Sequence, residues 1–374
     1  MKKNLLLFFA FFALYALTAQ RGSGWGDSAE FQHWALDFSA FICGPKFSNA
    51  HPVYVAFARL IGKCPLAEFL GGVFCVTLLS SFFGALAVAL LRAITGRTAL
   101  AVLFGLSQML WWLSTVAEVQ TMSLALTAAE TLCLVRHLET DDDNRATAGR
   151  GAWLLPLLAA LIGVHLLVHN FALLLVPVFL FFIIRNPAAL LVFAVSVSPY
   201  IYFILTRGAA DVLFGNYGGK VMGVLPVNWM ETGFNLALAS LSFVVPLMLA
   251  KWNRKNCDKR RESDHCRMPI FVLFAINFLF FIRYFVQDQA QFLLPTLFFT
   301  YLCLRKVEIR FTRAVALVLV QLLLPIMAYY AVLQLPVPEY RKARHPGRND
   351  AKYFILPWHF DMNASDAVQK GEGK

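Results

Sequence analysis

Long apolar runs recurring from one end of the chain to the other limit its fold more than any other feature. They occupy 5–19, 66–91, 98–115, 121–138, 152–168, 171–184, 188–205, 229–250, 268–282, 292–304 and 314–332. No aqueous surface tolerates a stretch such as Phe278, Leu279, Phe280 and Phe281. The runs are too continuous for the alternating pattern of barrel strands, and a helix satisfies its own backbone in lipid. The sequence therefore predicts an all-α polytopic membrane protein with about 11 transmembrane helices. Charged residues make up 15% of the chain, against about 25% in a soluble domain, which agrees.

The fifth and sixth runs raise a question of parity. A single helix over 152–184 would extend about 50 Å at ~1.5 Å per residue, well beyond a ~30 Å hydrocarbon core. A break at His169-Asn170 gives two short helices. It also keeps the basic stretch 251–267 in the cytoplasm. That stretch alone holds as many Lys and Arg as all the outer segments before the tail, namely Arg21, Lys46, Arg59, Lys63, Arg207, Lys220 and Arg283. The bias expects a cytoplasmic N-terminus and an outer C-terminus. Lys2, Lys3 and the run after them resemble a signal sequence, but no clear small-x-small site follows, so the first helix is expected to stay as an anchor.

The formal net charge of +11 does not point to nucleic acid. Its cations lie in short connections between apolar runs, not on a basic face interleaved with aromatics, so topology accounts for them. The expected organisation is a transmembrane domain over 1–333 and a short outer tail over 334–374. Within the domain, a first extracytoplasmic loop spans 20–65 and a second, glycine-rich outer loop spans 206–228. Inside the first loop, 50–61 suits a short helix lying along the interface. No repeat is evident.

Chemistry-bearing residues gather at the outer boundaries. Asp27 and Glu30 stand three apart, so on a helix beginning near Asp27 they share a face. A carboxylate at a water–lipid boundary can serve as general base. The same pair also fits a helix cap with a first-turn acid, and spacing alone leaves both readings standing. Glu118 falls at the outer end of the third run, where it either joins a site or caps the next helix. His165 and His169 are four apart, but no acid or Cys near them in sequence completes a metal set, so packing or hydrogen bonding is expected. Cys43 and Cys64 share the first loop and could pair in an oxidising compartment, whereas Cys257 and Cys266 have the wrong spacing for a zinc knuckle.

Gly26-Asp27-Ser28-Ala29-Glu30-Phe31, then His51-Pro52-Val53-Tyr54, Ala117-Glu118-Val119-Gln120 and finally Asp288 through Pro295-Thr296 occur in order along the chain. Together they resemble the membrane-protein family catalogued as domain of unknown function 2723, which includes protein O-mannosyltransferases and is similar to the GT-C glycosyltransferases. Tyr353-Phe354 and Pro357-Trp358 resemble a segment after that family's last helix. The chain departs from the pattern where His51-Pro52 lacks a Pro-Gly-x-Pro extension and where Gln120 replaces Tyr. The resemblance implies a GT-C-like bundle with a functional first outer loop. It also implies transfer of a sugar, such as mannose, from a polyprenyl-phosphate donor to a protein or lipid acceptor, with membrane lipid as the setting.

On the same resemblance Asp27 would deprotonate the acceptor and Glu30 would assist. His51, Arg59, Lys220 and Arg283 would be candidates for the leaving phosphate, and Glu118 and Asp288 for donor or acceptor binding. No cofactor is assigned, although Glu118 is compatible with a divalent metal. The expected location is a bacterial inner membrane. A transporter or flippase of lipid-linked sugar is the alternative, and it would place ionisable residues at the membrane midplane.

Overall fold

The computed structural model describes residues 2–24, 26–37, 51–142, 152–208, 229–253, 267–283, 289–334 and 350–361. Among these residues the secondary structure is helical throughout, without strands. In chain order the helices are α1 (Lys2–Thr18), α2 (Asp27–Leu36), α3 (Pro52–Gly62), α4 (Leu66–Leu70), α5 (Gly72–Thr95), α6 (Thr98–Gly105), α7 (Gln108–Ser114) and α8 (Gln120–Asp142). They continue with α9 (Leu154–Val168), α10 (Ala172–Ile183), α11 (Pro187–Arg207), α12 (Trp229–Asn253), α13 (Arg267–Arg283), α14 (Leu294–Cys303), α15 (Phe311–Gln334) and α16 (Asp350–Ile355).

Three described helices are long and apolar enough to cross a membrane: Gly72–Thr95, Pro187–Thr206 and Phe311–Gln334. The first is largely enclosed by the protein. The other two turn most of their surface outward. On α11 the outward residues are Leu191, Val195 and Leu205, and on α15 they are Leu319, Leu323 and Met327, the latter at the four-residue spacing of one helix face. Lipid is the solvent that suits such stripes. The remaining apolar helices are shorter, among them α9 and α10.

Several expected boundaries shift. The run 66–91 is divided at Gly71, whose φ of 86° ends α4 before α5 begins. The run 98–115 is two helices rather than one span, with Ser107 in extended conformation between α6 and α7 and its hydroxyl donating to Phe104 O at 2.6 Å. By contrast, α9 does end at Val168 and α10 starts at Ala172, with His169 extended between them.

Close approach of backbones fixes the bundle. A Cβ on Gly163 of α9 would lie 2.4 Å from both Cβ and O of Ser196 on α11, and Ser196 Oγ donates to Ala159 O at 2.9 Å. Small residues allow this contact between apolar helices. Gly163→Ala is expected to cost about 1–3 kcal/mol of stability because backbone, not a flexible side-chain tip, blocks the methyl. A lowered thermal midpoint of the detergent-solubilised protein would register it.

Part of the tail is built into the bundle. Gln108 Nε2 donates to Phe354 O (2.6 Å), Thr115 Oγ1 to Pro357 O (3.0 Å), and the His359 N–H to Thr18 O (2.8 Å). Trp112 meets Tyr353 and Phe354 edge-on, and Trp111 packs against Trp358. The buried His359 ring lies between Thr115 Oγ1 at 2.7 Å and Tyr353 O at 3.0 Å. Burial lowers its pKa to about 4, outweighing the Tyr353 carbonyl and Asp361. Since the unfolded histidine titrates near 6.5, the unfolded state binds the extra proton between those values. This contribution is therefore complete above about pH 6.5 and is lost as pH falls toward 4, amounting to about 3 kcal/mol. Melting curves from pH 7.5 to 4.5 should fall less steeply for His359→Gln than for the wild type.

Candidate functional site

The site is built where α2 starts and α8 starts. Gly26, at φ 57°, occupies the N-cap of α2, and no side chain caps that helix. This overturns the reading of Asp27 as a cap, since Asp27 is the first helical residue. Its side chain is exposed and that of Glu30 half-buried. Both acids lie in the first turn, where the positive end of the helix dipole favours negative charge.

Between them in sequence, Ser28 is buried and turns inward, donating from Oγ to Glu118 Oε1 at 3.1 Å. Glu118 lies just before α8 and is 7% exposed. Its backbone is clamped by Ser80 of α5: the Glu118 N–H donates to Ser80 Oγ (2.9 Å), and that hydroxyl also lies 3.0 Å from Glu118 O. Glu118, 88 residues on from Glu30, is thus joined through Ser28 to the helix turn that carries Asp27 and Glu30, and of the three acids Asp27 is the exposed one.

His51 joins them through α2. Its ring meets Phe31 edge-on at 5.6 Å, and Phe31 meets Tyr54 at 5.0 Å. Its backbone takes φ 54°. A non-glycine residue before proline rarely adopts this left-handed conformation, which costs about 1–3 kcal/mol and persists only where neighbours impose it. The neighbours here are Val168 O, 2.8 Å from His51 Nδ1, and the His169 ring, stacked at 4.8 Å and 20°. A carbonyl can only accept, so Nδ1 holds the proton. Burial pushes the pKa of the ring down to about 4 against the opposing pull of Val168 O. His51 is thus neutral at physiological pH, which removes it from the cations expected to meet a leaving phosphate.

His169 has a defined tautomer too. Its Nδ1 accepts from the Phe171 N–H at 3.0 Å, so Nε2 carries the proton. The atom placed 3.2 Å from that nitrogen is Gln120 Nε2, and complementary bonding requires the amide in its flipped orientation, oxygen toward the imidazole.

His165 lies deeper and does not share a partner set with His169. Its Nδ1 is 3.0 Å from Glu130 Oε1 and its Nε2 is 2.7 Å from Ser123 Oγ. Glu130 was missed in the sequence, as was its pairing with His165; the signal was an acid within the apolar run 121–138. The absence of a nearby acid expected for His165 is corrected by this contact across 35 residues of chain. The order Ser, His, Glu resembles a nucleophilic triad, but Ser123 is 3% exposed within the helix packing. No acyl group can reach it, and the trio serves as a cross-link between α8 and α9.

Arg59 lies in the last turn of α3, eight residues and about 12 Å along the axis from His51. That helix turns Phe57 and Leu60 outward while burying Tyr54, Val55 and Ala58, the division expected of an interfacial helix. Arg283 closes α13. Its side chain, Lys220, Asp288 and Cys43 lie outside the described residues. Cys64 has no disulfide among the described residues. Also among them, no three His, Cys, Asp or Glu side chains converge on one point as metal ligands.

A family profile described as the protein O-mannosyl-transferase TMEM260 N-terminal domain matches residues 91–191. The crystal structure of ArnT from Cupriavidus metallidurans bound to undecaprenyl phosphate is similar over 93% of this chain and 67% of ArnT, with a TM-score of 0.64 and 12% identity. The two share one fold. The expected all-helical bundle agrees with that likeness. No curated protein matches the chain.

Proposed function

We propose that the chain is a glycosyltransferase that takes a sugar, mannose being the first to test, from a polyprenyl-phosphate donor. A hydroxyl of a protein or lipid receives it at the outer face of the membrane. The observation that carries this reading is the exposed Asp27, with Glu30, in the first turn of a helix whose Ser28 bonds Glu118, in a bundle whose fold is similar to that of a protein solved with undecaprenyl phosphate. The acceptor oxygen attacks C1 of the sugar and gives its proton to Asp27. The bond from C1 to the phosphate oxygen breaks, and polyprenyl phosphate leaves with the electron pair. Glu30 orients the hydroxyl, and Glu118, held by Ser28, shapes the floor of the site.

The isoprenoid tail stays in lipid while the phosphate rests at the interface, so the reacting atoms meet by lateral diffusion followed by fixed orientation. Arg59, Lys220 and Arg283 are the cations assigned by this reading to the leaving phosphate. The outer location follows from the positive-inside bias of the loops. Purified protein in liposomes, supplied with undecaprenyl-phosphate-linked mannose or glucose and membrane extract, is expected to yield glycosidic product. Movement of the lipid-linked sugar across the bilayer without product would favour the flippase instead.

A further inference from the structure

Every ring contact of His51 but one is committed. Nδ1–H donates to Val168 O at 2.8 Å, one face lies on His169 and an edge of the ring meets Phe31. His169 cannot swing away, because its two nitrogens are engaged by Phe171 N–H and the Gln120 amide. Among the described residues Nε2 has no partner, and the residue is only half-buried. A neutral imidazole whose Nδ1 is protonated offers a lone pair, and nothing else, at Nε2.

A lone pair attracts a hydroxyl proton and repels phosphate oxygens. Along α2, Phe31 stands one helical turn, about 6 Å, from Asp27, and it is the Phe31 ring that touches the imidazole. His51, at the N-cap of α3, therefore stands beside the first turns of α2, the helix that carries the carboxylate.

We infer that His51 Nε2 accepts a hydrogen bond from a hydroxyl of the donor's sugar, which makes His51 a sugar-selecting contact distinct from the phosphate-binding cations. The inference rests on the proposed transfer reaction and deepens it. The left-handed backbone of His51 has a use in this arrangement, since it holds a nitrogen at a fixed height where a flexible side chain would sample many.

Two measurements test it. In the first, diethylpyrocarbonate, which acylates unprotonated and accessible imidazole nitrogens, is applied to the full-length protein in nanodiscs and the modified histidines are mapped by mass spectrometry. His51 is expected to react, and the buried His165, His169 and His359 to be spared. A panel of undecaprenyl-phosphate-linked hexoses should slow the His51 reaction at least several-fold more than undecaprenyl phosphate alone. An unreactive His51, or equal protection by the bare lipid phosphate, overturns the inference.

In the second, His51→Asn retains an amide N–H for Val168 O but loses the acceptor, while His51→Gln can place its carbonyl near the position of Nε2. Transfer efficiency is expected to fall about 10- to 100-fold in His51→Asn and to be largely restored in His51→Gln. Equal activity of His51→Asn and wild type, with the protein folded, overturns the sugar contact and leaves His51 as a helix cap. If the wild type transfers no sugar, the glycosyltransferase reading fails, and the diethylpyrocarbonate protection still decides whether Nε2 meets a sugar.

Discussion

Asp27→Asn is expected to lower the turnover of sugar transfer by about 100- to 10,000-fold, the range associated with loss of a positioned general base. The substitution keeps the shape of the side chain and removes only its ability to take a proton. Asp27 is exposed at the start of α2. The helix start is formed by Gly26, whose carbonyl accepts from the Ala29 and Glu30 N–H groups at 3.1 and 3.3 Å, and this survives the change. The lost charge near the N-terminus of α2 costs only about 0.3–1 kcal/mol of stability. The effect should therefore appear in kcat, with KM for the lipid-linked sugar changed by no more than a few-fold. Kinetics in liposomes, with a melting curve to verify folding, check it; unaltered turnover removes Asp27 as the base. Glu30→Gln should have a smaller effect, as an orienting group would.

The parts of this arrangement that could be seen in the sequence are those with a local cue. Hydropathy located the apolar helices, and His169-Asn170 marked a break because a continuous helix there would be too long for the bilayer. Glu118 stood out as a polar residue at the end of an apolar run, Asp27 and His51 were marked by the resemblance, and folding links their surroundings through Ser28 and Phe31. The break between α6 and α7 gave no hydropathic cue, since Leu106 and Ser107 lie in an otherwise apolar stretch. Nor could the clasp formed by His359 be foreseen, because its partners Thr18 and Thr115, at the C-terminal ends of α1 and α7, lie far from it in sequence and meet it only through packing. The resemblance marked Tyr353-Phe354 and Pro357-Trp358 as a segment without saying what it touches.

Glu130 shows the same limit at its sharpest, and it carries the largest expected effect on stability. Its carboxyl group and the His165 imidazole are both at 0% exposure, 3.0 Å apart, between helices α8 and α9. Glu130 Oε2 is buried without a hydrogen-bond partner among the described residues, so His165 is the neighbour that compensates the acid. Glu130→Ala would leave the imidazole Nδ1–H without its acceptor and open a gap beside it. The cost is expected to be about 3–5 kcal/mol, the range for removing one member of a buried ionic pair. Replacing both members, as Glu130→Met with His165→Phe, removes the need for pairing and should recover most of that loss, because apolar side chains of similar volume avoid the desolvation penalty altogether. Denaturation midpoints of the wild type, Glu130→Met, His165→Phe and the double variant complete the cycle. A double variant no more stable than Glu130→Ala would mean that the polar pair does more than fill space between α8 and α9. The pair lies one helical turn below His169, whose N–H donates to His165 O at 2.7 Å, so a loosened cross-link should also release the stack that holds His51. The single variants are thus expected to lose sugar transfer at temperatures well below those at which they unfold, and the double variant to keep it nearer to its melting point.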